Sequence, residues 1–247
     1  MKTFGTLLKV EWRLSVRNMD MVIFAVILPL AALIILGFIY GTKPAADGVE
    51  YTFIEQSFGA LCTISICAGG LMGLPLVVSD YRARKILKRF HVTPVSPIML
   101  LAVELVLYVI YATVSMLTLF PVAKLFWGVT IHGSWFGFLG SWLLTMLSTL
   151  SVGMMVGGIA KNAKSASVIA CLLYFPTLIF SGATLPFELM PELLQKIVRV
   201  FPMTQGIQLM KATSLGLPVD NLWLSIAVMS GVTILCTGVA IKCFKWE

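Results

Sequence analysis

Apolar runs about as long as a lipid bilayer is thick dominate this sequence. Of its 247 residues, 59% are hydrophobic and only 12% are charged, whereas soluble domains carry about 25% charged residues. No fold in water could bury so much apolar surface, so lipid must surround most of the chain. Because a helix needs about 20 mostly apolar residues to cross a bilayer, the sequence predicts an all-α integral membrane protein.

Six runs reach this length and predict six transmembrane helices in a single domain, residues 1–247. The predicted spans are Met21–Gly41, Ser57–Ser79, Ile98–Ala123, Ser134–Ala160, Ser165–Leu185 and Leu222–Ile241. The first run is too long for the core of a signal peptide, and no small-residue cleavage site follows it, so we expect it to be retained. Six spans place both termini on the same side.

Lys and Arg residues are distributed unequally between the two sides of the predicted membrane. Thirteen lie on the side that carries both termini, and five lie on the other. Since cytoplasmic segments carry an excess of Lys and Arg, both termini are predicted to be cytoplasmic in a multi-pass protein of a bacterial cell membrane. The net charge of +7 is then explained by contacts with anionic lipids, and nucleic acid is not an expected partner.

The first 19 residues predict an amphipathic interfacial helix. Lys9, Arg13 and Arg17 follow each other at i+4 spacing and form one cationic stripe, while Trp12 lies among the apolar residues on the remaining surface. Such a helix lies along the lipid headgroups.

The segment 80–97, after the second span, is also basic. Asp80 is predicted to cap the start of a short helix, on which Ile86, Leu87 and Phe90 share an apolar patch beside a cationic arc. Two interpretations fit this pattern. The patch either dips into lipid or docks into a groove of another protein.

The segment 186–220, between the fifth and sixth spans, is apolar but interrupted by charges and prolines. Its periodicity predicts two extracellular half-helices, separated at Pro202, the second over Thr204–Thr213. Irregular backbone at membrane depth is tolerated only where it is buried in protein or lines a cavity. The segment is predicted to be either a gate of a transport pathway or a structural cap.

Two features inside the spans are candidates for function. Glu104 is a carboxylate well inside an apolar run, where ionisable residues are functional candidates, although it could also snorkel or pair with cations of 80–97. Gly153 and Gly157 form a GxxxG pattern, which permits close helix packing within one chain or between two chains.

Enzyme motifs are missing from the sequence. It holds no GxxxxGK[ST] phosphate loop, no HExxH and no GxSxG. The five cysteines lack CxxC spacing and are expected to be packing residues, and neither His91 nor His132 has a metal-ligand partner at useful spacing. No catalytic residue, metal or bound cofactor is predicted.

Three features together resemble the membrane subunits of type-2 ABC exporters, which include drug and antibiotic permeases. They are the basic N-terminal helix, the run from Arg84 to Pro97, and the pair of stretches Phe180-Ser181-Gly182-Ala183-Thr184-Leu185-Pro186 and Phe201-Pro202-Met203-Thr204. The resemblance covers essentially the whole chain. It implies a homodimer or heterodimer of permease chains, powered by a separate ATPase subunit that binds ATP and Mg²⁺. The implied function is outward transport of an amphipathic small molecule, antibiotic, peptide or lipid-like substrate.

The resemblance also assigns roles to residues. A coupling helix that docks to the ATPase is implied at Asp80, Tyr81, Arg82, Arg84, Ile86, Leu87, Arg89 and Phe90. An extracellular gate is implied at Phe180, Pro186, Phe201 and Pro202. Family members often carry Glu-Arg-Glu before the coupling helix, and this chain departs from that pattern with Asp80-Tyr81-Arg82-Ala83-Arg84.

Two alternative functions belong to other classes. The first is a secondary transporter or channel that needs no ATPase and depends on Glu104. The lack of buried charged relays and of inverted repeats with Gly or Pro breaks argues against it. The second is a membrane sensor or scaffold that no longer moves cargo.

Overall fold

A computed structural model describes residues 2–45, 49, 51–84, 97–180, 191, 195, 198, 201–218 and 222–243. These residues are helical, apart from connecting segments and an isolated antiparallel bridge between Pro44 and Thr52. In chain order the helices are α1 (Lys2–Asn18), α2 (Asp20–Tyr40), α3 (Phe53–Ala83), α4 (Pro97–Trp127), α5 (Trp135–Ile159), α6 (Ala163–Phe180), α7 (Pro202–Leu215) and α8 (Leu222–Cys243).

Five of the described helices, α2, α3, α4, α5 and α8, are long and apolar enough to cross a membrane. Helix α6 is also apolar, but its apolar stretch, Ala163–Ile179, is shorter. The predicted all-helical membrane class is confirmed with these five candidate spans. The sixth span and the side on which the termini lie stay predictions.

Two of the spans contain a π-helical turn just before a proline. The turn Ile23–Ile27 precedes Pro29 in α2, and the turn Ala68–Gly73 precedes Pro75 in α3. Proline has no backbone N–H and crowds the carbonyl four residues earlier. The helix therefore widens locally instead of breaking, and the kink expected at Pro29 takes this form.

Helix α5 is the centre of the bundle and packs against α3, α7 and α8. Gly153 lies directly against the backbone carbonyl of Gly70 in α3, so that a Cβ at this position would overlap the carbonyl oxygen. One turn further on, a Cβ on Gly157 would lie 2.7 Å from the Cβ of Val78. In this chain the GxxxG pattern thus brings α3 and α5 into close contact.

The structure corrects the predicted limits of the second span. Helix α3 begins at Phe53, before the predicted Ser57, and continues past the predicted Ser79 to Ala83. Asp80 therefore lies in the last turn of α3, where its carbonyl oxygen accepts the backbone N–H of Arg84 at 3.0 Å. The prediction that Asp80 caps a new helix is wrong, because side chains of the following residues anchor this last turn to the bundle.

The N-terminal helix α1 is confirmed as a helix, and part of its surface contacts the bundle. Trp12 stacks on Tyr111 of α4 with ring centroids 5.3 Å apart. Lys9, Arg13 and Arg17 are exposed, as the cationic stripe predicts. Helix α2 follows after a turn at Met19, whose φ of 61° is left-handed.

Candidate functional site

Groups of polar contacts between helices lie at both ends of α3. We call the end at which α3 finishes and α5 meets α6 the basic end, because exposed lysines and arginines surround it. We call the end at which α3 and α5 begin, near Phe53 and Trp135, the opposite end. The docking residues that the structure describes, Asp80, Tyr81, Arg82 and Arg84, lie at the basic end, and the described gate residues Phe201 and Pro202 lie at the start of α7.

Arg82 fastens the end of α3 to the turn between α5 and α6. Its Nη1 donates to the carbonyl oxygens of Gly157 and Ala160, each at 3.1 Å, and to that of Gly158. The last carbonyls of a helix have no partner within the helix and carry partial negative charge. A guanidinium supplies both hydrogen-bond donors and a compensating positive charge at this place.

Glu104 lies at the basic end of α4 and is 4% exposed. The hydroxyl of Tyr81, next to Arg82 in α3, donates to Glu104 Oε1 at 3.0 Å. Tyr81 also hydrogen-bonds with Glu11 of α1, so one hydroxyl joins carboxyl groups of two other helices. A phenol has one proton and can donate to only one of them at a time.

The contact of α1 with α4 has a second polar component. Ser15 and Tyr111 are joined through their hydroxyl oxygens, which lie 2.8 Å apart. Together with the stacking of Trp12 on the same tyrosine, this bond fixes α1 against the basic end. The N-terminal helix is thus positioned by the protein as well as by its cationic stripe.

Burial in this contact raises the pKa of Glu11 above its ordinary value, and the smaller effect of the Tyr81 hydrogen bond acts in the opposite direction. The folded protein binds the proton of the Glu11 carboxyl group more tightly than the unfolded chain does. The stability that this gives is complete at a pH below the pKa of Glu11 in the unfolded chain, and it is lost as the pH rises through the higher pKa of the folded protein. We therefore expect Glu11→Gln to raise the melting temperature relative to the unmodified protein at pH 8, with the difference vanishing near pH 4. Thermal unfolding followed by tryptophan fluorescence in detergent measures this.

The exposed carboxylate of Asp20 offers a matched control. Asp20→Asn should show no comparable gain at pH 8, because this side chain lies at the exposed start of α2. A melting temperature of Glu11→Gln below that of the unmodified protein at pH 8 would contradict the prediction. It would show that the carboxylate is stabilising as a hydrogen-bond acceptor.

The predicted docking residues divide into two groups. Tyr81 and Arg82 make the intrachain contacts just described, while Arg84 has a largely exposed side chain and pairs with Asp80, Nε to Oδ1, at 2.8 Å. The four remaining residues, Ile86, Leu87, Arg89 and Phe90, lie outside the described residues. The docking role of the whole set stays a prediction.

At the opposite end, the buried carboxylate of Glu55 joins the start of α3 to the loop between α4 and α5. Its Oε2 accepts the backbone N–H and the hydroxyl of Thr52 at 2.9 and 3.1 Å, which completes a capping box at the start of α3. Its Oε1 accepts the backbone N–H of Thr130 at 3.0 Å and the hydroxyl at 3.1 Å. His132 Nε2 lies 3.2 Å from the same oxygen.

Helix α7 is the second predicted half-helix and is largely buried among α3, α5 and α8. Gln205 accepts a hydrogen bond from the hydroxyl of Ser225 in α8 at 2.6 Å. The backbone N–H of Gly133, just before α5, donates to the carbonyl of Ser214 at 3.0 Å. This is the packing expected of a re-entrant segment.

A cavity of about 170 Å³ lies beside the start of α7, and its lining is almost entirely apolar. It is lined by Leu71, Thr149, Val152, Leu173, Thr177, Phe201, Pro202, Met203 and Val232. The predicted gate residues Phe201 and Pro202 thus border a space between five helices, α3, α5, α6, α7 and α8. Phe180 ends α6, and Pro186 lies outside the described residues.

A family model described as the ABC-2 type transporter matches residues 2–215, which is most of the chain. The chain belongs to this family. The match includes every helix from α1 to α7, and thus the polar contacts apart from Ser225 and the cavity lining apart from Val232. The family membership that the basic segments and the gate stretches predicted is thus confirmed.

Curated relatives of this ABC-2 chain include a protein named as an inner membrane permease. It is 29% identical over 122 residues to an inner membrane transport permease, YhhJ, of Escherichia coli K12, an alignment that covers 49% of this chain and 33% of the relative. It is 33% identical over 86 residues to nodulation protein J of Rhizobium leguminosarum bv. viciae, covering 35% and 33%. The chain spans about a third of the length of the curated relatives it matches.

Two carboxylates of this ABC-2 chain were missed by sequence reasoning. Glu55 has a local signal, because Thr52 precedes it by three residues at the start of an apolar run, which is the pattern of a capping box. Glu11 has a weaker one, as an acidic residue in an otherwise basic amphipathic helix. Their partners in other helices have no signal in the sequence.

Proposed function

We propose that this chain is the transmembrane subunit of an ATP-driven exporter that works with a separate ABC ATPase subunit. The family match over residues 2–215 is the observation that carries the proposal. The sequence given has no phosphate loop for ATP, which supports a separate source of energy in this proposal. The relative from Escherichia coli, named a transport permease, supports the same role.

The basic end is the side on which the ATPase docks in this proposal. The excess of Lys and Arg at this end supports a cytoplasmic location. The segment 85–96 leaves α3 and returns in α4 at this end. Its apolar residues Ile86, Leu87 and Phe90 are the proposed contacts, and the cations around them form the rim.

The proposed cargo is amphipathic or lipid-like and moves outward past α7. The cavity beside Phe201 and Pro202 supports an apolar group, because its polar surface is negligible. Ligand sites of this kind are mostly apolar and use a few polar groups for orientation. Thr149 and Thr177 are the polar side chains that line it.

A second permease chain, identical or homologous, completes the proposed exporter. Helix α6 supports this with an exposed apolar stripe formed by Val168, Leu172, Phe175 and Ile179, which recur at helical spacing. Lipid would cover the stripe in a lone chain.

Co-expression with a candidate ABC ATPase, beginning with one encoded beside this chain, tests the proposed function. We expect the ATPase to copurify with the permease, and Leu87→Asp together with Phe90→Asp to reduce the copurified amount by about tenfold or more, since a few buried apolar residues dominate such contacts. Gel filtration of each permease verifies that the variants are folded.

Leu217→Asp is the matched control, because Leu217 is an exposed leucine after α7, at the opposite end. It should leave the copurified amount unchanged. Undiminished copurification of the double variant would overturn the docking assignment. Transport in vesicles without any ATPase, lost in Glu104→Gln, would favour a secondary transporter instead.

A further inference from the structure

Helices α3, α5 and α7 are joined so closely that the connections extend from one end of the bundle to the other. In the middle, the backbones of α3 and α5 meet at Gly70 and Gly153. At the opposite end, Glu55 of α3 holds the loop that begins α5 through Thr130, and Gly206 of α7 lies directly against Thr145 of α5. These contacts involve backbone atoms and buried side chains, so they resist sliding.

Arg82 is the corresponding connection at the basic end. All three of its carbonyl partners belong to the last turn of α5 and the residue that follows it. The next residues, Asn162 and Ser165, cap the start of α6, with Ser165 N–H donating to Asn162 Oδ1 at 2.8 Å. One side chain of α3 therefore holds the ordered turn between two other helices.

The position of Arg82 along the chain makes this connection important. It lies in the last turn of α3, which ends at Ala83, so a displacement of this end of α3 acts directly on the contacts of Arg82. The helix α5, with 25 residues, extends about 37 Å from this turn toward α7. A displacement at the basic end can thus reach the opposite end through one continuous helix.

We infer that Arg82 is a positioning residue that couples the end of α3 to α5, and through α5 to α7. The inference rests on the proposed function, because the force is that of the ATPase cycle. Arg82 acts through the carbonyl groups of the α5–α6 turn and does not contact cargo or nucleotide. Its guanidinium matches this role, because it is always charged, planar and less strongly hydrated than the ammonium of lysine.

The first test uses the permease alone. Spin labels on cysteines at Ala83 and Lys161, both exposed, in a background without native cysteines, report the distance between the end of α3 and the α5–α6 turn by pulsed electron paramagnetic resonance. We expect a narrow distribution in the protein with Arg82, a broad one in Arg82→Gln and an intermediate one in Arg82→Lys. Lys164→Gln, a loss of an exposed cation beside the same turn, should keep the narrow distribution. An unchanged distribution in Arg82→Gln overturns the inference.

The second test uses the complex with the ATPase. A cysteine at Leu217, after α7, is labelled with a water-soluble maleimide in the nucleotide-free and the vanadate-trapped states. We expect the labelling rate to differ between the states, and Arg82→Gln to reduce this difference by about fivefold, a common size for the loss of one coupling contact. Arg82→Lys retains the charge, so its difference in labelling rate should lie between those of the unmodified protein and Arg82→Gln. This variant replaces Arg82→Gln in the test if Arg82→Gln does not fold.

The outcomes separate this inference from the proposed function. If no ABC ATPase binds the unmodified permease, the proposed function fails, and the spin-label distances alone decide whether Arg82 holds the turn. If the ATPase binds but the labelling rate at position 217 is the same in both states, or changes as strongly in Arg82→Gln, then Arg82 does not couple the two ends.

Discussion

Replacing Gly153 with valine is expected to prevent assembly of the folded bundle. Any Cβ at this position would overlap the carbonyl oxygen of Gly70, and both groups belong to the backbones of long helices, which cannot move aside independently. Overpacking of a buried contact costs about 3 kcal/mol, a large part of the stability of a protein domain. The expected result is loss of the monodisperse peak in gel filtration and a melting temperature well below that of the unmodified protein.

Gly140 is the matched control for this prediction. It lies in the same helix, and a Cβ on it would have no neighbour within 4 Å. Gly140→Val should therefore retain the monodisperse peak, although valine has the same helix propensity at both positions. A Gly153→Val protein with an unchanged melting temperature would refute the close approach of α3 and α5.

Replacing Glu55 with alanine is expected to destabilise the opposite end strongly. The carboxylate is 6% exposed and accepts hydrogen bonds from Thr52 and Thr130, including both backbone N–H groups. Its removal leaves the backbone N–H groups of the half-buried Thr52 and the exposed Thr130 without this acceptor. Hydrogen bonds to charged groups contribute about 1.5–3 kcal/mol each, so we expect a loss of about 3 kcal/mol or more, measured as a lower midpoint of thermal or denaturant unfolding.

Two variants show whether the carboxylate itself is responsible. Glu55→Gln keeps one oxygen acceptor but presents an amide group to a donor, so its loss of stability should be smaller than that of alanine yet still measurable. His132→Ala removes the partially exposed partner of the same carboxylate and should cost less than about 1 kcal/mol. Equal effects of His132→Ala and Glu55→Ala would contradict the central role of the backbone donors.

The contacts that make Gly153 and Glu55 sensitive to substitution also connect the two ends of the proposed exporter. Glu55, the glycine contacts and Arg82 connect α3 to α5 at three levels of the bundle. Helix α7 is attached to the same unit through the loop before α5 and through its own close packing. The end of α3 and the gate residues at the start of α7 are thus parts of one connected body.

Prediction from the sequence was most successful where a single helix decides the outcome. Apolar length identified the five candidate spans, and the cationic spacing of Lys9, Arg13 and Arg17 identified the exposed side of α1. It failed at the end of the second span, where Asp80 was assigned to a new helix. The local signal for a cap was present, but Tyr81 and Arg82 make contacts with α4 and α5 that keep this turn in α3.

The residues that join helices could not be found in this way. Tyr81 and Glu104 are 23 positions apart, and Arg82 and Ala160 are 78 apart. No periodicity relates such pairs, and each side chain alone fits several roles. Glu104 could equally have paired with a cation of the basic segment.

The sequence by itself determined the solvent, the helical class and the family, because hydrophobic length and charge distribution act residue by residue along the chain. Only the tertiary structure decided what the polar residues do. A buried carboxylate or guanidinium must find partners wherever the packing places them, and packing depends on contacts between helices that are distant in the chain. In this protein, packing places partners from other segments beside Glu55 and Arg82, and these two residues connect the two ends of α3 to the rest of the bundle.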